Sequence, residues 1–388
     1  MKRAITINKR GADRIRKSHL WVYRSDIRDA KKCTGGSVVE VTDERGRFVG
    51  QAFYSDRSEI ALRFLTTKKE TIEREFWRGR LQSAEKRREH YKKNTNAYRL
   101  IYSEGDLIPS LIIDVYDDVF VIQTLSQSTE MLKPFFADLL IEEFNPKAIV
   151  ERNDVKVREL EGLELKTGLL YGDCPDEIII EQDGVKFYVS PFSGQKTGSF
   201  LDQRENHFAA QKVGFGRGLD CFTFNGGFAL NLAHSCESVI GIDISEDAVF
   251  LAQRNANLNQ IQNATFKTQN VFDALREFET AGEKFDTIVL DPPAFAKNRA
   301  SVKAALRGYK EINLRALKLL NAGGILISCS CSYHATENLF LTVIEEAAYD
   351  AGRRVQLIEK RTQSSDHPVL LGMPETYYLK CLVLKVIE

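Results

Sequence analysis

The sequence predicts an α/β protein that ends in a doubly wound parallel sheet. From about residue 190, β-favouring runs alternate with helical patterns, as in consecutive strand–helix–strand units. The run Ile288-Val-Leu-Asp-Pro-Pro-Ala-Phe295 predicts a buried strand that stops at Asp291, because two prolines continue neither a strand nor a helix. Residues 1–100 contain 26 Lys and Arg against 13 Asp and Glu, although the whole chain has zero net charge. A basic N-terminal part is therefore joined to a sheet whose strand ends suit a ligand.

Changes of pattern divide the chain into three predicted regions. Residues 1–70 alternate short β-like runs, at 37–42 and 59–65, with glycine turns, which indicates a small β-rich domain. Residues 71–189 predict a central α+β domain, and residues 190–388 predict the parallel sheet. Within the central domain the patterns predict helices over 71–93 and 132–144 and strands at 111–115, 119–125, 147–151 and within 177–189.

Composition restricts the class of protein. The 388 residues are 43% hydrophobic, which is ordinary for a folded soluble chain. Residues 1–20 are basic and polar, which argues against a signal peptide, and no later run is long enough to span a bilayer. The seven cysteines are scattered, which favours reduced thiols in a cytoplasmic protein. We predict no metal site, because Cys329 and Cys331 have no second pair of ligands nearby in the sequence.

The uneven charge predicts contact with nucleic acid. A basic region binds phosphates, and its aromatic residues can stack on unpaired bases. Trp21, Tyr23 and Tyr54 are interleaved with the basic residues of the first domain. Aromatic residues in so small a domain also form its core, so the pattern leaves both roles open.

Polar residues close four successive strands of the predicted sheet. Asp220, Asp243, Asn270 and Asp291 each stand at the end of a β-like run. The first run leads through a turn with Gly226 and Gly227, where the backbone can approach a ligand closely. An acid at the tip of the second strand accepts hydrogen bonds from ribose hydroxyls in nucleotide-binding folds. Together they predict a ligand that carries an adenosine.

These motifs resemble those of a known enzyme family. The stretches Asp220-Cys-Phe-Thr-Phe-Asn-Gly-Gly-Phe228, Gly-Ile-Asp243, Asn270-Val-Phe272 and Asp291-Pro-Pro-Ala-Phe295 are similar to motifs of class I S-adenosylmethionine-dependent methyltransferases. Gly194-Gln-Lys-Thr-Gly-Ser-Phe-Leu-Asp-Gln-Arg204 resembles a segment of the PUA-domain-containing RNA methyltransferases of the RlmI type. The runs 16–23 and 50–57 resemble the PUA domain of that family, and 99–106 and 151–154 its central domain. The resemblance covers essentially the whole chain.

The resemblance implies a fold, a cofactor and a substrate. The fold is an N-terminal PUA domain, a central α+β domain and a Rossmann-like methyltransferase domain. The cofactor is S-adenosylmethionine, and the partner is RNA, expected to be 23S ribosomal RNA, with no membrane; a homodimer is compatible with the sequence, which does not fix the oligomeric state. The implied RNA-binding residues are Arg16, Lys17, Trp21 and Arg24. The implied cofactor-binding residues are Lys196, Gln203, Arg204, Asp220, Phe222, Thr223, Gly226, Gly227, Asp243, Ile244, Asn270, Val271, Phe272 and Asp291.

The target predicted by the resemblance is carbon 5 of a cytidine. This carbon is a poor nucleophile, and a thiolate that adds to carbon 6 activates it. The run Gly323-Gly-Ile-Leu-Ile-Ser-Cys-Ser-Cys-Ser332 predicts a strand ending in two cysteines on one face, if the strand extends that far. Cys331 matches the nucleophile position of the family, and Cys329 is interpreted as packing. Asp291 is the second predicted catalytic residue, and Pro292, Pro293 and Phe295 are expected to hold the base.

Two other functions stay open from the sequence. An acid-Pro-Pro-aromatic turn also holds an exocyclic amine in enzymes that methylate guanine N2 or adenine N6, although here Ala294 delays the aromatic residue by one position. The third alternative is a non-catalytic RNA-binding or ribosome assembly protein.

The loop after Asp291 lacks the second cysteine that some cytosine-5 RNA methyltransferases carry beside the acid. The base that removes the carbon-5 proton is therefore unassigned.

Overall fold

The computed structural model describes residues 4–30, 33–296 and 299–388 and contains two compact units. The first unit comprises Met1–Ile180, Val189–Leu201 and Ser365–Thr376. The second comprises Glu181–Tyr188, Asp202–Ser364 and Tyr377–Glu388. Each unit has its own sheets and apolar cores.

The first unit begins with a six-stranded sheet. Its strand order is β2-β6-β5-β4-β1-β3, where β1 and β4 are parallel and the other pairs are antiparallel. Alternation of apolar and polar residues buries one face around Ile5, Val41 and Leu62. The elements are β1 Ala4–Ile7, α1 Lys9–Arg16, β2 Trp21–Tyr23, β3 Ile27–Asp29, β4 Val38–Asp43, β5 Phe48–Tyr54 and β6 Ile60–Thr66.

A five-stranded sheet and two helices follow in the first unit. The strand order is β11-β10-β9-β8-β7. Phe53 and Leu65 of the first sheet share one buried core with Trp77, and the rings of Phe53 and Trp77 stack with centroids 5.6 Å apart. The elements are α2 Arg74–Arg88, β7 Ala97–Tyr102, β8 Leu111–Tyr116, β9 Val119–Thr124, α3 Gln127–Phe144, β10 Ala148–Asn153 and β11 Lys166–Gly172. A separate two-stranded sheet follows, formed by β12 Ile178–Gln182 and β13 Val185–Val189.

The second unit is built on a seven-stranded sheet in the order β16-β15-β14-β17-β18-β20-β19. The first five strands in this order are parallel, and β20 is antiparallel to both β18 and β19. The central strands are rich in Val, Ile and Leu, and helices cover both faces. The strands are β14 Arg217–Cys221, β15 Ser238–Asp243, β16 Ala264–Thr268, β17 Phe285–Leu290, β18 Leu320–Ser330, β19 Val355–Arg361 and β20 Lys380–Val386.

Among the described residues of this unit, five helices connect consecutive strands and a sixth helix precedes the first strand. Several begin where a side chain accepts a hydrogen bond from the first turn, as Ser245 and Thr336 do for α6 and α9. The helices are α4 Arg204–Val213, α5 Gly227–Leu232, α6 Glu246–Leu258, α7 Val271–Thr280, α8 Val302–Leu319 and α9 Glu337–Asp350. Short 3₁₀ helices occur at Arg24–Asp26, Tyr91–Asn94, Ser103–Asp106, Lys156–Glu161, Leu201–Gln203, Arg299–Ser301 and Pro374–Thr376.

The structure differs from the sequence predictions mainly at the ends of elements. The predicted helix over 71–93 ends at Arg88, and α3 begins at Gln127 because Ser126 and Thr129 form a capping box. The strand expected to stop at Asp291 ends at Leu290. The strand expected to carry both cysteines ends at Ser330, so alternation along the strand does not extend to Cys331.

Two searches of the described residues concern membranes and metals. None of the helices in the described ranges is both long and apolar enough to cross a bilayer. Within the same ranges, no group of three or more His, Cys, Asp and Glu residues could hold a metal ion.

Candidate active site

Four polar residues lie side by side where the parallel strands end. Strands β16, β15, β14 and β17 are neighbours in that order. Asp243 is the last residue of β15, Asp220 is next to last in β14, and Asp291 directly follows β17. Asn270 lies two residues beyond β16, where it caps α7. The structure thus brings the four predicted residues to one edge of the sheet.

Asp220 is the buried member of this row. Its Oδ2 accepts hydrogen bonds from Thr223 Oγ1 (2.6 Å) and the Ala229 main-chain N–H (2.9 Å). Its Oδ1 is also buried and has no hydrogen-bond partner among the described residues. Burial raises the pKa of Asp220 to about 7, with smaller contributions from the carboxylates of Asp291 and Asp243. A buried oxygen that lacks a donor indicates room for a polar ligand group.

The turn between β14 and α5 has an unusual backbone. Phe222 and Phe224 have φ values of +66° and +48°, a region that residues with a Cβ adopt at a cost. Such conformations concentrate at binding and catalytic sites. Gly226 has φ +87°, and a Cβ at Gly227 would lie 2.5 Å from Cε1 of His207. Both glycines are therefore required, one by backbone conformation and one by close packing.

Asp243 organises the neighbouring strand end. Its Oδ2 accepts from the Phe224 main-chain N–H and its Oδ1 from that of Ser245, each at 3.0 Å. A carboxylate oxygen accepts two hydrogen bonds, so both oxygens retain capacity for ligand hydroxyls. The adjacent Ile244 is 69% exposed, as expected for a side chain that covers a flat ligand.

The next strand end contributes the segment from Asn270 to Phe272. Asn270 Oδ1 accepts from the Phe272 main-chain N–H at 2.9 Å. The Val271 side chain is buried in the core of the second unit, and the Phe272 ring is partly buried against that core. Val271 would therefore meet a cofactor through its main chain rather than its side chain.

The loop after β17 meets the end of β18. Pro292 is buried and Pro293 is exposed. The thiol of Cys331 lies 3.9 Å from the Pro292 main-chain oxygen, within reach of an S–H···O hydrogen bond. Cys331 is partly exposed, whereas Cys329 is completely buried among apolar side chains. The loop that follows Asp291 and the predicted nucleophile, Cys331, are thus in direct contact.

A buried hydrogen-bond network joins the loop after β17 to the segment after β18. The hydroxyl of Tyr309 on α8 lies 2.9 Å from Ser332 Oγ and accepts from Ser330 Oγ at 3.0 Å. Ser332 Oγ also accepts from the Ala296 main-chain N–H at 3.1 Å. The Phe295 ring packs on Tyr309 with centroids 4.8 Å apart. Tyr309 therefore contacts both of these segments and holds them together.

The three cofactor residues predicted upstream have different surroundings. Lys196 belongs to the first unit, where its ammonium lies 4.3 Å from the centroid of the Phe200 ring. Gln203 and Arg204 belong to the second unit and are buried. The Arg204 guanidinium forms two hydrogen bonds to Asp183, at 2.8 and 2.9 Å. Their roles in cofactor binding stay predictions.

The predicted RNA-binding residues lie around α1 in the first unit. The Arg16 side chain is 53% exposed, and Lys17 is also exposed. Trp21 donates its indole N–H to Glu104 at 2.9 Å, and Arg24 donates to the main-chain oxygens of Ser55 and Ser58. A cavity of about 760 Å³ beside Arg16 is also lined by Arg47, Lys68 and Arg80.

Lys380 and Tyr309 both contact the segment around Cys331, and the sequence prediction missed both. Lys380 begins β20 and is 2% exposed; its ammonium donates to the main-chain oxygen of Ser332 at 2.7 Å. In the sequence, Lys380 is unusual only as a lysine at the head of the apolar run Cys381-Leu-Val-Leu384, a signal that does not place it at the site. Tyr309 carries no such signal within its helix.

Two family models match the chain. Residues 5–67 match a PUA-like domain, and residues 216–369 match a methyltransferase domain. The predicted α/β fold class, with a PUA domain at the N-terminus and a methyltransferase domain at the C-terminus, is confirmed. The boundaries at residues 70 and 190 stay predictions.

The chain also has full-length relatives. It is 42% identical to ribosomal RNA large subunit methyltransferase I of Tolumonas auensis, with 100% of both chains covered. The protein of the same name from Cronobacter sakazakii is 40% identical, with 93% of this chain and 94% of the relative covered. A crystal structure solved in complex with SAH has a TM-score of 0.86 and 20% identity over 100% of both chains, a likeness of fold. The chain belongs to the family of ribosomal RNA large subunit methyltransferase I.

Proposed function

We propose that this protein transfers a methyl group from S-adenosylmethionine to carbon 5 of a cytidine in 23S ribosomal RNA. Family membership supports ribosomal RNA as the substrate and S-adenosylmethionine as the cofactor. The observation that carries the cytosine chemistry is the contact between the Cys331 thiol and the loop that follows Asp291. A nucleophile and an acid at one sheet edge suit covalent activation of a pyrimidine.

The residues at the strand ends fit the cofactor. The partnerless Oδ1 of Asp220 and the remaining acceptor capacity of Asp243 suit the polar groups of an adenosine-containing molecule. Gly226 permits the left-handed backbone of the turn beside them, and Gly227 allows its close packing on His207. When bound, S-adenosylmethionine supplies an electrophilic methyl group. Asp220 and Asp243 would hold the cofactor, and Ile244 and Phe272 would cover its flat ring.

Asp243→Ala is expected to weaken binding of S-adenosylmethionine about tenfold or more. The variant loses an ionised acceptor, and a hydrogen bond to a charged group is worth roughly 1.5–3 kcal/mol. Calorimetric titration of the full-length protein would measure the change. Asp273→Ala, which removes an exposed acid on α7, is the matched control and should bind normally. An unchanged affinity in folded Asp243→Ala would exclude this role.

Cys331 performs the covalent steps of the proposed mechanism. Its thiolate sulfur bonds to carbon 6 of the cytosine, and the electrons of the 5,6 double bond make carbon 5 nucleophilic. Carbon 5 takes the methyl group and afterwards loses its proton to a base. The sulfur–carbon 6 bond then breaks, which restores the ring double bond and the thiolate. Cys331 is partly exposed, as a residue that meets a base must be.

Asp291 and the prolines are proposed to hold the base. Asp291 would hydrogen-bond the cytosine near N3 and N4, where charge develops during sulfur addition. Pro292 and Pro293 restrict the backbone of the loop, and the Phe295 ring packs on Tyr309. A cytosine inside a duplex cannot reach this edge, so the target base must be unstacked or flipped.

The first unit supplies the proposed contact with RNA. Arg16 and Lys17 are exposed, and Arg16 borders a cavity with further basic side chains. Phosphate contacts of this kind give affinity without reading the base sequence. Trp21 and Arg24 have partners within the protein and would contribute mainly by shaping this surface.

Nucleoside analysis tests the proposal directly. Unmethylated 23S RNA is incubated with the protein and S-adenosylmethionine, digested to nucleosides and analysed by mass spectrometry. The expected product is 5-methylcytidine. Methylated guanosine or adenosine would instead support amino-group methylation, and an absence of methylation despite cofactor and RNA binding would support a non-catalytic role.

A further inference from the structure

Lys380 is a buried cation in the second unit. It is the first residue of β20 and pairs with Ser330 near the end of β18. Its side chain is almost inaccessible to water, as the residue is 2% exposed. Lysine is rarely buried to this degree unless a counter-charge or a function accompanies it.

The Lys380 ammonium is hydrogen-bonded to two main-chain carbonyls. It donates to the main-chain oxygens of Ser332 (2.7 Å) and Tyr378 (2.8 Å). Both of these acceptors are uncharged main-chain carbonyls. Glu337 on α9 acts from farther away and is itself bonded to Lys360 and Tyr377. Two neutral carbonyl groups compensate only part of the cost of burying a charge.

The ammonium is attached to the peptide that follows the proposed nucleophile. Ser332, whose carbonyl accepts from Lys380, is the residue after Cys331. Burial lowers the pKa of Lys380 to about 8, and the sulfur of Cys331, followed by Glu337, acts in the opposite direction. Lys380 is therefore still mostly charged at pH 7, in a place where its charge acts on that sulfur.

We propose that Lys380 is a positioning residue that stabilises the thiolate of Cys331. A nearby cation favours the ionised form of a cysteine and so increases the fraction that can attack. In this step the Cys331 S–H bond breaks and its proton passes to water, while Lys380 stays an ammonium throughout. Lys380 forms no bond with substrate. The inference rests on the proposed function, since it names what activates the nucleophile of that site.

Other charges around the pair make such a cation necessary. Asp291 directly follows β17, the strand beside β18, and its carboxylate opposes a second negative charge at the same edge. Tyr309 on α8 interacts with Cys331, and Glu337 on α9 interacts with Lys380. Asp291 and Glu337 are acidic, and Tyr309 is neutral at pH 7. Lys380 thus offsets the carboxylates when the thiolate forms.

The test measures the thiol and does not require methyl transfer. Wild type, Lys380→Met and Lys380→Arg are alkylated with iodoacetamide from pH 6 to 10, and mass spectrometry follows the peptide that contains Cys331. In Lys380→Met the midpoint of alkylation should move up by about one pH unit or more, which lowers the rate at pH 7 about tenfold. Lys380→Arg keeps the charge and should retain most of the reactivity. Lys385→Met, an exposed position on the same strand, is the matched control.

Turnover gives a second and separate readout. In Lys380→Met, kcat should fall at pH 7 and recover in part at higher pH, whereas a purely structural defect would lower it at every pH. S-adenosylmethionine binding reports that each variant is folded. The proposal is overturned if folded Lys380→Met alkylates with the wild-type pH profile, or if Lys380→Arg is as impaired as Lys380→Met. Because alkylation needs no RNA, this failure is distinct from a failure of the proposed methylation.

Discussion

Cys331→Ala is expected to abolish methyl transfer while S-adenosylmethionine still binds. The covalent mechanism has no route without the sulfur, so turnover should fall to the background of the assay. The loss is specific to the mechanism, because an enzyme that methylates an exocyclic amine needs no thiol. Cys329→Ala is the matched control: it removes a thiol two residues away that lies in the apolar core. Activity of Cys329→Ala should persist, apart from some loss of stability.

An RNA substrate with 5-fluorocytidine at the target position sharpens this result. Fluorine cannot leave carbon 5 as a cation, so the adduct with sulfur should persist after methyl transfer. A denaturing gel should show a protein–RNA adduct with wild type and with Cys329→Ala, and none with Cys331→Ala. An adduct that depended on Cys329 would move the nucleophile to that residue. Activity on normal RNA without any adduct would contradict the cytosine-5 mechanism.

Asp291→Ala is expected to lower kcat about 100-fold or more. Removing one group that stabilises developing charge in a transition state costs roughly 10²–10³ in kcat. Asp291→Asn, which keeps the shape and loses the charge, separates the contribution of charge from that of packing. Single-turnover methylation of 23S RNA would measure the chemical step, with Asp273→Asn as the control for loss of an acid on the exposed face of α7.

Comparing the loss of kcat with the loss of cofactor affinity in Asp291→Ala decides whether Asp291 acts on the base or only on the cofactor. If Asp291 acts on the base, folded Asp291→Ala should still form a complex with S-adenosylmethionine, with a smaller change in affinity than in kcat. A wild-type rate would exclude Asp291 from catalysis. A loss that disappears at saturating cofactor would restrict it to cofactor binding.

The strand ends could be predicted because their signals are local. A run of Val, Ile and Leu followed by an acid or an asparagine can be recognised from the sequence alone. The structure brings Asp220, Asp243, Asn270 and Asp291 to one edge of the sheet. The end of β18 was not predictable in the same way. Ser330 and Ser332 are compatible with a strand, and the chain leaves the sheet between them because Ser332 bonds to Tyr309 and Ala296.

Residues that act across the sheet were beyond the sequence. Lys380 reaches the active site only because β20 pairs with β18 in a register that sets Lys380 opposite Ser330. This pairing joins segments about fifty positions apart, and no local pattern encodes it. In the sequence, Tyr309 is likewise only one aromatic residue in a helix. Its contacts arise because α8 packs against the loop after β17 and the segment after β18. The polar residues at the strand ends could be predicted from the sequence. The residues that hold them in place depend on tertiary contacts and could not.

The core that Phe53 and Leu65 share with Trp77 affects how the chain can fold and be engineered. During synthesis the β-rich segment emerges from the ribosome before α2, and these two side chains lack their buried partners until α2 follows. A version cut after residue 70 would leave the same apolar surface exposed to water and prone to aggregation. Exchange of this segment between relatives should therefore carry α2 with it, so that the donor's aromatic stack is transferred intact.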